Sequence, residues 1–497
     1  MKILKSLLIL FALTVATAEA HAQKPNQDKH TKISDYLHYC YKENIFNGAL
    51  AVIENGNVIY KESWGNSSIS YDSKLTTTTN FLLASLSKQF TASGIMLLRQ
   101  SGDLGYDDLV KTYLPSFPYE SVTIRHLLNQ TSGIPEYTTL LNARIEAIAE
   151  NYNNNGTIIN NESLYKLWLS LRPELKFPPG TAFDYSNTNY VFLALIIEKV
   201  SGKSYAAYLE ENIFEKLNMA NSFVITDEQR LQKAEIAHAY KLGIDGDSKK
   251  ENGLISYIQM VGDGGILSNI DDLILWIQGL SNQVLISSDM IKEATLIPEI
   301  EATRSGNYGF GWFIRNLPFN GNKVLTHSGE FRGYSNSFFY DVDADNALIM
   351  LSSNTNRYRA EMNQAITRIL YGFPYNLPKI GINEIIGPEI VNHGIKAGIQ
   401  LYSKLKLEAK DKYDFSEPRL NRLGYDLIQA NLIEEAIEVF KINVMNFKKS
   451  YNVYDSLGEA YFLVGNIDAA LKNYEMSLDI NPKNQNAKDM ISKIKAE

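Results

Sequence analysis

The chain has 497 residues, 45% of them hydrophobic and 21% charged, which suffices for a large core and, at roughly 100–200 residues per domain, for two or three domains. Lys and Arg number 48 against 56 Asp and Glu, a net charge of −8, and no basic cluster stands out. Nucleic acid is therefore not an expected partner, because approach to a phosphate backbone needs concentrated positive charge.

The first residues read as a targeting segment. Lys2 and Lys5 give a positive start, and Leu7 to Val15 is apolar but shorter than the ~20 residues that span a bilayer. Ala20-His21-Ala22 is an A-x-A cleavage signal, so residues 1–22 are expected as a signal peptide, with Gln23 opening the mature chain. An uncleaved anchor is the competing reading. The expected location is periplasmic or secreted, with no membrane span after cleavage. Cys40 is the only cysteine, which excludes an internal disulfide, and it lies too far past the apolar run for lipid attachment. His30, His38 and His126 have no metal-ligand spacing. Neither a metal nor a cofactor is expected.

Ala49 to Trp64 predicts a hairpin, with alternating apolar residues and a two-residue turn at Asn55-Gly56. The apolar run Phe81 to Ala84 then leads into Ser85-Leu86-Ser87-Lys88. A serine hydroxyl needs a base to take its proton as it attacks. Residues i and i+3 share one helix face, so Lys88 is placed beside Ser85 if Ser85 opens a helix. Burial penalises an ammonium, so a lysine on such a face can serve as a neutral amine base. Phe90 to Leu98 continues as a buried helix. The same S-x-x-K spacing recurs at Ser163-Lys166, Ser403-Lys406 and Ser492-Lys495, but in polar surroundings that read as solvated helix faces.

Two further signals follow in order. Tyr185-Ser186-Asn187 comes after the turn signal Pro178-Pro179-Gly180, and the apolar stretch Val191 to Val200 follows it. His327-Ser328-Gly329 lies among strand-like segments: Gly309 to Arg315, Lys323 to Thr326, Ser335 to Tyr340 and Ala347 to Leu351. Tyr152-Asn153-Asn154 and Tyr334-Ser335-Asn336 also read Y-x-N. The first sits in a polar asparagine-rich stretch, and the second comes too late in the order.

The last part of the chain has a period of its own. Leu423-Gly424 recurs 34 residues later as Leu457-Gly458, Ala436 as Ala470 and Phe440 as Tyr474, and Asn481-Pro482 closes the second unit. Gly398 and Tyr402 mark a weaker half-unit before them. Two and a half repeats bury too little alone, so they are expected to pack on the rest of the chain or on a partner.

S-x-x-K, then Y-x-N, then H-x-G resembles the penicillin-recognising serine hydrolases, in the branch of class C β-lactamases, serine DD-peptidases and related esterases. Ile124-Arg125-His126-Leu127-Leu128 running into Thr131-Ser132-Gly133, Gly262-Asp263-Gly264-Gly265 and Tyr308-Gly309-Phe310-Gly311-Trp312 fit the same branch. The C-terminal period resembles tetratricopeptide repeats. The implied fold is α/β in the α+β sense: a β-lactamase/transpeptidase-like antiparallel sheet flanked by helices, with a C-terminal all-α helical-repeat domain. The expected domains are 30–375 for the hydrolase, 376–416 for a linker with a degenerate half-repeat, and 417–497 for the repeats.

The resemblance implies Ser85 as the nucleophile of an acyl-enzyme, with Lys88 and Tyr185 sharing the proton work and either one serving as base. Asn187 is expected to orient Lys88 and to bind a substrate amide. The backbone N–H groups of Ser85 and Glu330 are implied as an oxyanion hole, and His327, Ser328 and Gly329 as the substrate edge. Arg332 is a candidate carboxylate clamp. Histidine at 327 departs from class C β-lactamases, which carry lysine there, and moves the expectation toward DD-peptidase-like hydrolysis of D-amino-acid peptides. A lysine restored at this place is expected to favour β-lactams. A class C-like β-lactamase or small-ester hydrolase is the alternative within the fold. An inert scaffold whose repeats recruit a protein partner is the alternative outside it.

Overall fold

The computed structural model describes residues 28–496 apart from 69–72, 143–155, 157, 247–248, 253–257, 299 and 301–306. The expected signal peptide and the Tyr152-Asn153-Asn154 motif lie outside the described residues. Two units are present: Met1–Tyr240 with Glu251–Asn376, and Lys241–Lys250 with Leu377–Glu497.

In the first unit, helix α1 (28–42) leads into the hairpin of β1 (Gly48–Glu54) and β2 (Asn57–Trp64). Asn55 and Gly56 turn it with φ of 49° and 75°, the left-handed pair that a two-residue hairpin turn requires. Strand β3 (Phe81–Leu82) enters a 3₁₀ turn, Ala84–Ser87, and helix α2 (Lys88–Ser101) follows directly. The expected helix start at Ser85 is thus corrected to Lys88. The face-sharing survives, because a 3₁₀ turn has three residues per turn and eclipses i and i+3. Next come α3 (Asn187–Ser201), β4 (Phe223–Val224), β5 (Ile266–Ser268) and α4 (Ile270–Ser281). Strands β6 (Phe313–Asn316), β7 (Lys323–Phe331), β8 (Tyr334–Asp341) and β9 (Asn346–Ser352) precede α5 (Arg359–Leu370).

Six strands form one antiparallel sheet in the order β6-β7-β8-β9-β1-β2. Side chains of a strand alternate between faces. Ala49, Ala51 and Ile53 of β1 join Leu273 and Trp276 of α4 in the main core, and the intervening Leu50 and Val52 are equally buried. The sheet is therefore covered on both faces. A smaller sheet, β3-β5-β4, carries the strand that feeds Ser85. One expected strand is shorter than its sequence suggests. Gly309 to Trp312 is a turn closed by a 2.9 Å bond from the Gly309 N–H to the Trp312 carbonyl, with Gly311 at φ 87°, and β6 starts only at Phe313.

The second unit is a run of helices: α6 (Ile382–His393), α7 (Ile395–Glu408), α8 (Glu417–Gln429), α9 (Ile433–Asn446), α10 (Tyr451–Leu463), α11 (Ile467–Ile480) and α12 (Gln485–Ala496). Gly424 of α8 meets the Phe440 ring of α9, and 34 residues later Gly458 of α10 meets the Tyr474 ring of α11. Each glycine leaves the space its neighbour's ring fills. Residues 376–416, expected as a linker with half a repeat, hold two full helices, α6 and α7. Ile386, Ile390 and Tyr402 from these helices share one core with Leu423 and Phe440.

Candidate active site

The turn that carries Ser85 is fixed from three sides. Leu83 donates its N–H to the Ile266 carbonyl of β5 at 2.8 Å. Asn336 of β8 donates from its side-chain nitrogen to the Leu82 carbonyl at 2.8 Å. Gly329 of β7 passes so close that a methyl group there would lie 2.1 Å from the Leu83 oxygen. Ala84 adopts φ 50°, a left-handed conformation that costs a non-glycine residue about 1–2 kcal/mol. The packing around it holds this reversal, which sends β3 straight into the serine turn.

Ser85 is half-buried, whereas Lys88 has no exposure at all. The Lys88 Nζ lies 3.0 Å from Ser85 Oγ, 2.7 Å from Asn187 Oδ1 and 2.7 Å from the Asp263 carbonyl. Asn187 Oδ1 and the carbonyl can only accept, while a serine hydroxyl both donates and accepts. A neutral amine satisfies this set with two N–H groups and a lone pair toward Ser85. An ammonium satisfies it with Ser85 accepting. The arrangement thus accommodates a lysine on either side of a proton transfer. Asn187 is the first residue of α3, and its N–H donates to Glu136 Oε2 at 2.7 Å. Tyr185 stands two residues earlier, with its ring centre 5.1 Å from the Lys88 Nζ.

The sequence motifs meet in one aromatic cluster. Tyr185 contacts Tyr308, Phe313 and His327, with ring centres 5.8–6.1 Å apart. His327 is buried. Its Nδ1 lies 2.7 Å from the Ser328 carbonyl, which can only accept, so Nδ1 carries the hydrogen. Nε2 then accepts from the Tyr308 hydroxyl at 3.0 Å. Burial above all, and then the Lys88 charge, push the imidazole down to about 3, so it is neutral at physiological pH. Burial also raises the Tyr308 phenol well above its ordinary range, keeping it a donor.

The structure adds a group for which the sequence proposed no role. Asp263, inside Gly262-Asp263-Gly264-Gly265, is buried, and Tyr137 donates its hydroxyl to Asp263 Oδ2 at 2.9 Å. Burial raises this carboxyl above its usual range, and the Lys88 charge pulls it partly back. The next carbonyl, that of Gly262, accepts from Thr91 of α2 at 2.6 Å, so the loop is tied to the helix that carries Lys88. An acid between glycines, in a phrase that already fitted the family, was the available signal.

Along β7, Ser328 is half-buried and Glu330 is exposed. Arg332 lies exposed in the turn between β7 and β8, at φ 43°. The other S-x-x-K serines are engaged within their own helices: Ser163 donates its hydroxyl to Oδ1 of Asn160, the N-cap of its helix, and Ser403 and Ser492 donate to carbonyls one turn back, as solvated faces do.

Comparisons with known proteins agree with this fold. The β-lactamase family profile matches residues 25–371. Penicillin-binding protein 4* of Bacillus subtilis is 34% identical over 373 residues, 72% of this chain and 79% of that protein. A D-aminopeptidase of Brucella anthropi is 28% identical over 295 residues, 58% of this chain and 52% of that protein. The octameric penicillin-binding protein homologue from Pyrococcus abyssi superposes with a TM-score of 0.61 at 26% identity, over 69% of this chain and 77% of that one.

Proposed function

Because the chain belongs to the β-lactamase family, we propose that it is an exported serine hydrolase that forms an acyl-enzyme on Ser85 and acts on D-amino-acid peptides and amides. The observation that carries this reading is the 3.0 Å approach of the buried Lys88 Nζ to the hydroxyl of the half-buried Ser85. The A-x-A segment supports export. The D-aminopeptidase relative supports a D-amino-acid substrate, and histidine at 327, where class C β-lactamases carry lysine, supports a peptide over a β-lactam.

In the proposed reaction the Ser85 Oγ–carbon bond forms as the scissile C–N bond breaks. The serine proton passes through Lys88 and Tyr185 to the leaving amine. The N–H groups of Ser85 and Glu330 hold the developing oxyanion, a contribution worth about 10²–10³ in rate per donor where measured. Asn187 steadies Lys88, and Ser328 lines the edge along which the substrate lies. Water then attacks the acyl carbon, the same groups take its proton, and the acid leaves with Ser85 restored. We read the C-terminal helix pairs as tetratricopeptide-like repeats available to a protein partner, on the strength of the 34-residue recurrence of glycine against an aromatic ring.

The test is a set of peptides and amides with D- or L-residues on either side of the scissile bond. Cleavage confined to D-residues is expected. Cleavage of the L-forms at equal rates, or of simple esters only, contradicts the proposal.

A further inference from the structure

The end of β7 carries charges that the acyl chemistry does not use. The Glu330 side chain is 63% exposed, and its carboxylate is held by the guanidinium of Arg359, itself only 21% exposed. Arg359 Nη1 reaches the Asn336 carbonyl at 3.4 Å, and its Nε is buried without a hydrogen-bond partner. Asn336 stands opposite Gly329 in the β7–β8 register, and Ser335 opposite Glu330. The guanidinium therefore lies against the hairpin at the level of the Glu330 N–H. Its charge is also felt at His327, where it is one of the causes that hold the imidazole neutral.

A substrate whose leaving group ends in a carboxylate brings a negative charge close to the scissile bond and needs a cation there. His327 supplies none, and Arg332 sits in the exposed turn. Arg359 touches β7 at the right level, but an internal carboxylate already occupies it. An incoming carboxylate meets the like charge of Glu330 first.

We propose that Glu330 is a specificity-determining residue: its carboxylate masks Arg359 and biases the enzyme against leaving groups that carry a carboxylate, toward amides, esters and peptide bonds with an uncharged leaving side. This rests on the acyl-enzyme reading above. An exposed ion pair is readily displaced, so the result is a bias and not a block. A pair that only braced the hairpin would change stability and leave the preference between acid and amide untouched.

The experiment compares kcat/KM for one D-Ala-D-Ala peptide as free acid and as C-terminal amide, with a neutral aryl ester measured on the same preparation. Glu330→Gln should raise the acid-to-amide ratio by about five- to tenfold, the scale of one exposed charge contact removed and one freed. The gain should vanish in Glu330→Gln with Arg359→Gln, and should persist in part in Glu330→Gln with Arg359→Lys. An unchanged ratio in Glu330→Gln that still turns over the ester overturns the proposal, as does a gain that survives Arg359→Gln. If the wild type cleaves the ester but neither peptide, the peptide reading fails separately. The mask is then read from inhibition of ester hydrolysis by the acid and amide forms, where Glu330→Gln must favour the acid by the same factor or the proposal falls.

Discussion

Tyr308 donates its phenolic hydrogen to Nε2 of His327 across 3.0 Å. With Nδ1 turned to the Ser328 carbonyl, both ring nitrogens are committed inside the protein. The expectation that lysine at 327 would offer a useful charge to a β-lactam does not follow from this geometry. Such an ammonium would be buried close to Lys88. His327→Lys should cost several kcal/mol of stability, as an unpaired buried charge does, and should lower peptide and β-lactam turnover together.

The same histidine gives a pH signature. Its ordinary value is 6.5, and in the folded protein it falls to about 3. As pH drops below 6.5, the unfolded chain takes a proton that the folded one refuses, so this residue's contribution to stability is present above that pH and is lost on acidification. Relative to His327→Gln, the wild type should lose stability with a slope approaching about 1.4 kcal/mol per pH unit between pH 6 and 4, and should run parallel above pH 7. Trp64, Trp168, Trp276 and Trp312 are all the tryptophans in the chain and all lie in the hydrolase unit, so tryptophan fluorescence in urea follows that unit alone. Parallel curves throughout would exclude a buried neutral imidazole.

Asp263 should separate stability from activity. Burial disfavours its charged form, so Asp263→Asn removes a desolvation cost while keeping an acceptor for the Tyr137 hydroxyl. The variant is expected to melt at the wild-type temperature or higher, and to lose at least about tenfold in kcat/KM because the charge beside Lys88 is gone. A variant that melts lower with activity intact would make Asp263 a structural residue only.

Gly329→Ala tests the closeness of β7 to the serine turn. The added methyl would sit 2.1 Å from the Leu83 oxygen, and that backbone cannot swing aside like a flexible side chain. Overpacking of this kind costs about 1–3 kcal/mol. Displacing β7 moves the Glu330 N–H from the oxyanion position proposed for it, so kcat should fall by about 10². Activity within twofold of wild type would place the oxyanion donors elsewhere.

Lys88→Ala and Tyr185→Phe should each lower acylation or deacylation by about 10² or more, the usual scale for general acid–base groups. Their combined loss should be much smaller than the product of the two, because groups that share one proton path are not additive. Stopped-flow acylation rates of the two single variants and the double variant decide this. Full additivity would mean two independent roles.

The strands, the serine helix and the convergence of Ser85, Lys88, Tyr185, Asn187 and His327 were legible because each depends on local pattern or on order along the chain. What escaped depends on tertiary contacts. The helix boundary moved to Lys88 because β3 and Gly329 impose a left-handed Ala84 that no propensity signals. Asp263 and Tyr308 were visible as letters in family-like phrases, but their partners, Tyr137 and His327, are distant in sequence. Arg359 follows the motif strand by a whole hairpin, so its ion pair with Glu330 leaves no local signal in the sequence. Helix α6 was hidden by Pro388, which sits inside it and ordinarily marks a helix end.

The central claim is that Ser85 is the residue acylated. Incubation with a fluorescent penicillin, followed by intact mass and peptide mapping, tests it directly. The account predicts one adduct per chain, on the peptide that contains Ser85, and none in a folded Ser85→Ala variant. An adduct on another residue, or labelling that persists in Ser85→Ala, would contradict it.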